Sequence, residues 1–206
     1  TSSKVELEKG KIYFIHKKDS AQSELRVGHI SVGRGNPDYF SAMLMNMILG
    51  GLFTSRINLN LREKRGFTYG ASSNFYYNLV NSHFKISLSV GIENSGEALS
   101  EIYKEIDSVR KEILAEELVF AQSSLIKKFP SMFETYKQVA ANLLTQELFS
   151  LPDNYFDTYI ENVSSVTLNN VLIAAQNRLH PENMVTVIVG NRDNTLSQIS
   201  SLNSYE

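Results

Sequence analysis

The sequence predicts an α+β fold, a mostly antiparallel sheet of about five or six strands with helices packed on one face. Three observations carry that expectation. His83 to Gly91 alternates, with Phe84, Ile86, Leu88 and Val90 on one side of an extended chain. Leu99, Ile102, Ile106, Val109 and Ile113 recur at helical spacing, opposite a face of Glu and Lys. The elements run as strands, helices, strands, long helices and a last strand, which suits helices segregated to one face better than alternating βαβ units.

In chain order, Lys11 to Lys17 and Leu25 to Val32 are rich in β-branched and aromatic residues and read as two strands around the polar stretch Lys18 to Glu24. Gly33 to Asp38 is a turn into a helix, with Asn36 as the expected N-cap and Pro37 at the first helical position. Phe40, Met43, Leu44 and Met47 share a face of that helix, and Gly50-Gly51 stops it. Ser55 is placed to cap a short helix from Arg56 to Arg65 that Gly66 terminates. Two strands follow, Phe67 to Leu79 and His83 to Gly91, then a helix over 97–114. Leu118, Leu125 and Phe129 mark another helix, which Pro130 must break or kink before Phe133 to Phe149 continues. Thr167 is a good N-cap for Leu168 to His180, whose Val171, Leu172, Ala175 and Leu179 face inward, and Met184 to Val189 closes as a buried strand.

At 206 residues the chain is long enough for a sizeable core and near the upper end of what one core serves, so one domain is expected over 1–206, with 1–10 and 191–206 as linker or tail. Hydrophobic residues at 42% and charged residues at 20% are ordinary globular values. A formal net charge of −2, with Lys and Arg scattered, argues against nucleic acid as a partner. The absence of cysteine removes disulfides, thiolate metal ligands and thiol nucleophiles together and leaves the compartment open. No transmembrane segment is expected, since Phe40 to Leu49, the longest apolar run, falls short of the roughly 20 residues a span needs. The opening Thr-Ser-Ser-Lys has neither an initiator Met nor an apolar leader, so the expectation is a chain that begins within a longer protein or after processing.

The four histidines, at 16, 29, 83 and 180, are too far apart for H-x-x-E-H, H-E-x-x-H or any i, i+4 ligand pair, so no metal site is expected in this chain. Gly70-Ala71-Ser72-Ser73 is not a G-x-S-x-G nucleophile elbow. Gly33-Arg34-Gly35 and Gly50-Gly51 form no Walker A or G-x-G-x-x-G pattern and read as a tight turn and a helix stop. Taken on pattern alone, Arg62-Glu63-Lys64-Arg65 is a solvated face at a helix C-terminus and Tyr69 a strand aromatic.

The stretch Leu49 to Ser73, LGGLFTSRINLNLREKRGFTYGASS, strongly resembles the pitrilysin/insulinase family of zinc metallopeptidases, whose non-catalytic halves carry LGG, an SR before a helix, LRE-K-x-G and a Tyr just after the glycine. Pro37-Asp38-Tyr39, Phe129-Pro130, Leu151-Pro152-Asp153-Asn154-Tyr155-Phe156 and Val189-Gly190 extend the likeness, in order and spacing, to the bacterial processing-peptidase-like members. The resemblance implies a metallopeptidase half-domain fold and the non-catalytic, C-terminal half of a peptidase. It implies no cofactor in this chain and zinc in a partner half that bears H-x-x-E-H, with a peptide as substrate. It also assigns Arg62 and Tyr69, which match the family's Arg and Tyr in type and seven-residue spacing, to contact the substrate and its oxyanion in trans to the zinc. The alternative within the resemblance is a catalytically inert structural or peptide-binding subunit like the core proteins of respiratory complexes.

Overall fold

A computed structural model describes residues 10–199, so of the linker or tail stretches expected over 1–10 and 191–206, residues 1–9 and 200–206 lie outside the described residues. Five strands, β1 (Ile12–His16), β2 (Gln22–Ser31), β3 (Ala71–Tyr76), β4 (Ser82–Gly91) and β5 (Val185–Gly190), form one sheet in the order β1-β5-β2-β4-β3. β4 pairs antiparallel with β2 and with β3, and β5 pairs antiparallel with β2 but parallel with β1. The sheet is therefore mixed, a correction to the mostly antiparallel expectation. Its cause is topological: β1 and β2 run in opposite directions without touching, and a last strand that fills the slot between them must run parallel to one of the two.

Alternation decides which face is covered. β2 buries Ser23, Leu25, Val27 and His29 and exposes Gln22, Glu24 and Ile30, and β4 buries Phe84, Ile86, Leu88 and Val90. Residues of α1 (Tyr39–Asn46), α2 (Arg56–Asn58), α3 (Ser95–Lys111), α4 (Ala115–Lys128), α6 (Tyr159–Ser164), α7 (Leu168–Arg178) and α8 (Arg192–Ile199) cover that face, and α5 (Tyr136–Leu148) packs on the turn after α4. Leu44 and Met45 of α1, Leu99, Ile102 and Ile106 of α3, and Val171 and Ala175 of α7 join the buried strand residues in one core cluster. Each such fully buried aliphatic side chain of Leu or Ile size contributes about 1.5–3 kcal/mol before entropy is counted. α8 falls in a stretch expected as tail. Its Thr195 is buried, its Ile199 reaches the core, and the Gln198 amide accepts from Gly96 N at 3.0 Å and donates to Ile92 O at 3.1 Å.

One helix start differs from expectation. α1 begins at Tyr39 and not beside Asn36, and Asp38 at its N-cap makes no side-chain cap bond because its carboxylate is taken by Arg178, with Nε donating to Oδ2 at 2.7 Å. Pro130 ends α4 in a 3₁₀ turn over Pro130–Phe133, and α5 restarts behind a Thr135 cap whose hydroxyl accepts from Gln138 N at 3.2 Å. Thr167 caps α7 in the same way, accepting from Asn170 N at 3.2 Å. The segment Tyr39–Lys64 is long and apolar enough to cross a membrane by length and composition, contrary to expectation. In this fold Leu44, Met45, Leu49, Ile57 and Leu61 from that segment are core residues and Leu52 to Ser55 interrupts its helices.

Two buried amides lock this segment to β3. Asn46 donates to Ser73 O at 3.0 Å and accepts from the Ser73 hydroxyl at 2.7 Å. Asn58 accepts from Ala71 N and donates to Ala71 O, both at 2.8 Å. The close approach explains Gly50, where an added Cβ would lie 2.6 Å from Ser73 Oγ and 2.9 Å from Ser73 N. Asn58→Ala leaves both backbone groups of Ala71 without their partner, and the expected loss is about 2–3 kcal/mol. Urea unfolding of the variant checks this, and a loss under about 0.5 kcal/mol would show that the amide is dispensable.

His29, buried on β2, lies between Phe84 and His180 with ring centroids 5.5 Å from each, and His180 N donates to its Nε2 at 3.4 Å. Burial depresses the imidazole pKa below its usual value, with the Ile30 carbonyl only partly offsetting that effect. A depressed folded-state pKa means the unfolded chain takes up the proton first. The stability His29 contributes is complete above about pH 6.5 and falls as the pH drops toward the folded value. The difference in unfolding free energy between wild type and His29→Gln should therefore shrink from about pH 7.5 to about pH 5.5. Parallel pH profiles in urea titrations would rule out a perturbed His29.

Candidate functional site

The motif stretch folds into a helix, a reversal and a loop. Ser55, with extended backbone, opens α2, which continues as a π-helical turn over Leu59–Lys64. Gly66 then reverses the chain at φ +66°, a conformation only glycine adopts freely. Phe67 N and Gly66 N return to Leu61 O at 2.8 Å and Arg62 O at 3.1 Å. Tyr69 sits in the loop that follows, two residues before β3 and not at its start as expected.

Two of the motif's arginines are fully engaged in the scaffold. Arg56 grips Glu117 of α4 through Nε and Nη2, both at 2.6 Å, and also donates to Ser108 Oγ and Glu112 O at 3.0 Å. Burial pushes the Glu117 carboxyl up, but hydrogen bonds from Arg56 and from Leu114 N, with the Arg56 charge, outweigh it and hold the pKa below the ordinary range. Arg65 donates to Asn60 Oδ1 at 2.9 Å, pairs with Glu97, and reaches the buried Glu101 at 3.0 Å. The solvated-face reading thus holds for Glu63 and Lys64 and fails for Arg65.

Arg62 and Tyr69 are placed differently. The Arg62 guanidinium carbon lies 3.1 Å from the centroid of the Phe53 ring, and its Nε donates to Glu63 at 2.9 Å. Only 13% of its side chain is exposed, and Nη1 is buried with no hydrogen-bond partner. Tyr69 is 95% exposed and makes no hydrogen bond among the described residues. The structure records no bond or ring contact between the two, so the sequence-expected pair shares a segment but is not assembled into one constellation. Leu52 and Thr54, on either side of Phe53, help line an apolar groove of about 270 Å³ with Met47, Ile48 and Phe120, and neither Arg62 nor Tyr69 lines it.

Phe53 and Asn58 went unread in the sequence. Asn58 carried a signal: it lies three residues before Leu61 on one helix face, a polar amide where the pattern asks for an apolar residue. Phe53, in a glycine-rich turn, carried none. Of the histidines, His29 and His180 meet, His180 lies 3.4 Å from Glu182, and His83 stacks on Tyr76. Among the described residues, no group of three or more His, Cys, Asp or Glu side chains is placed to hold a metal ion.

A family model described as the peptidase M16 inactive domain matches residues 2–125. No curated protein matches the chain significantly. Among solved structures, the chain is similar to a peptidase M16 inactive domain from Pseudomonas fluorescens, with 28% identity and a TM-score of 0.81 over 89% of this chain and 45% of that one. The inactive peptidase domain of a candidate zinc protease from Bordetella parapertussis is similar at 17% identity and a TM-score of 0.70, over 84% of this chain and 94% of that one. A chain of Complex III2 from Candida albicans is similar at 10% identity and a TM-score of 0.75, over 94% of this chain and 49% of that one. The last two likenesses are of fold alone, and the chain spans less than half the length of the Pseudomonas and Candida chains. With more than half of its sequence inside the family model, and the motif and sheet described above, the chain belongs to the peptidase M16 family as its inactive, C-terminal domain.

Proposed function

We propose that this domain is the non-catalytic half of a zinc metalloendopeptidase, closing a peptide chamber against a half that carries H-x-x-E-H and supplying Arg62 and Tyr69 to the substrate. The zinc, its activated water and the general base belong to that partner half, on the same polypeptide or a separate one. The observation that carries the reading is Tyr69: a phenol with no partner among the described residues, on a ring 95% exposed, beside a helix end that bears an arginine with a buried, unpartnered Nη1. A phenol donates one hydrogen bond and a guanidinium five, so both suit a scissile carbonyl oxygen that becomes an oxyanion. Arg62 must leave Phe53 and Glu63 to reach it. Both partners are themselves largely exposed, so that release costs about 1–2 kcal/mol, less than the roughly 2.7–4 kcal/mol one oxyanion donor supplies.

A second reading, a catalytically inert structural or peptide-binding subunit, draws support from how thoroughly Phe53 and Glu63 cover Arg62. The domain paired with its zinc-bearing half separates the two. Tyr69→Phe should lower kcat about 10²- to 10³-fold with little change in KM, since ring and packing remain and only the transition-state donor is lost. Arg62→Ala should also raise KM, because several donors go together. Peptide hydrolysis with near wild-type kcat in both variants would leave the inert reading ahead.

A further inference from the structure

Another arginine, unlike Arg62, is held without a counter-charge, in a cavity that the proposed peptidase role does not use. Arg34, in the turn before α1, is half-buried among three aromatic rings, its guanidinium carbon 4.7 Å from the Tyr39 centroid, 5.5 Å from Phe149 and 5.6 Å from Tyr155. Its Nη2 donates to the Tyr155 hydroxyl at 3.1 Å, and its Nε is buried with no partner. Nη1 makes no hydrogen bond, and no carboxylate pairs with Arg34, among the described residues. The nearby acid, Asp38, is committed to Arg178. Nor does a phenolate supply the missing charge at neutral pH. Burial pushes the Tyr77 and Tyr159 phenols up to about 12 and Tyr39 higher still, with Arg34 only partly offsetting this.

A cation removed from water costs free energy unless it is paired, and cation–π contacts compensate only in part. The guanidinium lines a cavity of about 300 Å³, with Pro37, Phe40, Leu151 and Pro152 as apolar wall and Thr158 and Asn162 as polar rim. Ser150, on the wall, holds φ +48°, a left-handed conformation that a serine rarely adopts. The cavity is about the size of one large amino-acid side chain with its backbone groups.

We propose that this cavity binds a carboxylate carried on an apolar or aromatic body, such as the C-terminal residue of a peptide, with Arg34 receiving the carboxylate and the ring-lined wall the body. Forked guanidinium–carboxylate hydrogen bonds supply the orientation. Apolar contact then separates this ligand class from a bare anion. The site shares no residue with Arg62 and Tyr69, so it stands or falls independently of the peptidase reading.

The test is titration of the 15N-labelled chain with N-acetyl-phenylalanine, its amide and inorganic phosphate, followed by NMR. The acid should give saturable shifts at Gly35, Ser150 and Thr158, and both the amide and phosphate should bind at least about 10-fold more weakly. Arg34→Gln should abolish the acid's advantage. Should Arg34→Gln lose its fold, Arg34→Lys, which keeps the charge, should retain part of that advantage, and the wild-type comparison of acid with amide needs no variant. Equal binding of acid and amide, phosphate binding as tight as the acid, or no saturable shift up to about 10 mM acid would each overturn the proposal.

Discussion

The carboxamide of Asn58 is the interaction on which the motif segment depends. By bonding both backbone groups of Ala71 it closes the chain between α2 and β3, and everything in between, Arg62, Gly66 and Tyr69 included, hangs on that closure. The helix end inside the loop is π-helical from Leu59 to Lys64, and a second π-helical turn, Met47–Gly51, carries the LGG glycines. A π turn widens the helix by one residue per hydrogen bond and re-aims the side chains on it. Here the first wide turn packs on β3, where Gly50 admits the strand at backbone distance, and Asn46 and Asn58, the last residues of α1 and α2, bond to that strand. The motif is therefore mostly a description of how two helix ends dock on one strand.

That docking sorts the arginines. Arg56, Arg65 and Arg178 tie elements together, to α4, to α3 and to the start of α1, and each meets a carboxylate. Removing one partner of such a covered pair leaves the other charge stranded, which is why these contacts specify the arrangement even where their net stabilisation is small. Arg62, which among the described residues pairs only with its chain neighbour Glu63, and Arg34 rest on aromatic rings and keep nitrogen atoms buried without a partner. A ring face offers a cation attraction without satisfying its N–H groups, so it is the kind of support that leaves donors for a ligand.

What was legible in the sequence is what repeats with a period. The alternation of β4, the apolar stripe of α3, the Thr167 cap and the Pro130 break all appear where the pattern put them, because each is decided by local geometry and burial on one face. Pairing partners were not legible. Nothing in Ile12–His16 or Gln22–Ser31 says that a strand from the far end of the chain will enter between them, so the parallel pair β1 and β5 was missed. The partner of Asp38 was equally illegible. Asp38 is bonded 140 residues away, to Arg178, and no local rule contains that contact. At the candidate site, residue types and spacing were readable for Arg62 and Tyr69, whereas the Phe53 ring that covers Arg62 came from a glycine-rich turn with no periodic signal.

The edge of the sheet at β3 bears on how a peptide could approach Tyr69. Residues of an antiparallel ladder turn their N–H and C=O groups alternately inward and outward, and the side-chain partners of Ala71 and Ser73 mark these two as outward residues of β3. An open edge of this kind is a template for an added strand. Asn58, however, occupies both outward groups of Ala71, and Asn46 occupies the outward carbonyl of Ser73. The amides act as a surrogate strand and blunt the edge next to the Tyr69 loop. In the proposed function, a peptide passing this point would find three of the four outward groups of Ala71 and Ser73 taken, and the side chains beside them are the Tyr69 phenol, the Phe53 ring and the Arg62 guanidinium beneath it. Under the proposed function, recognition of a substrate at this point would fall to such donors and not to strand addition.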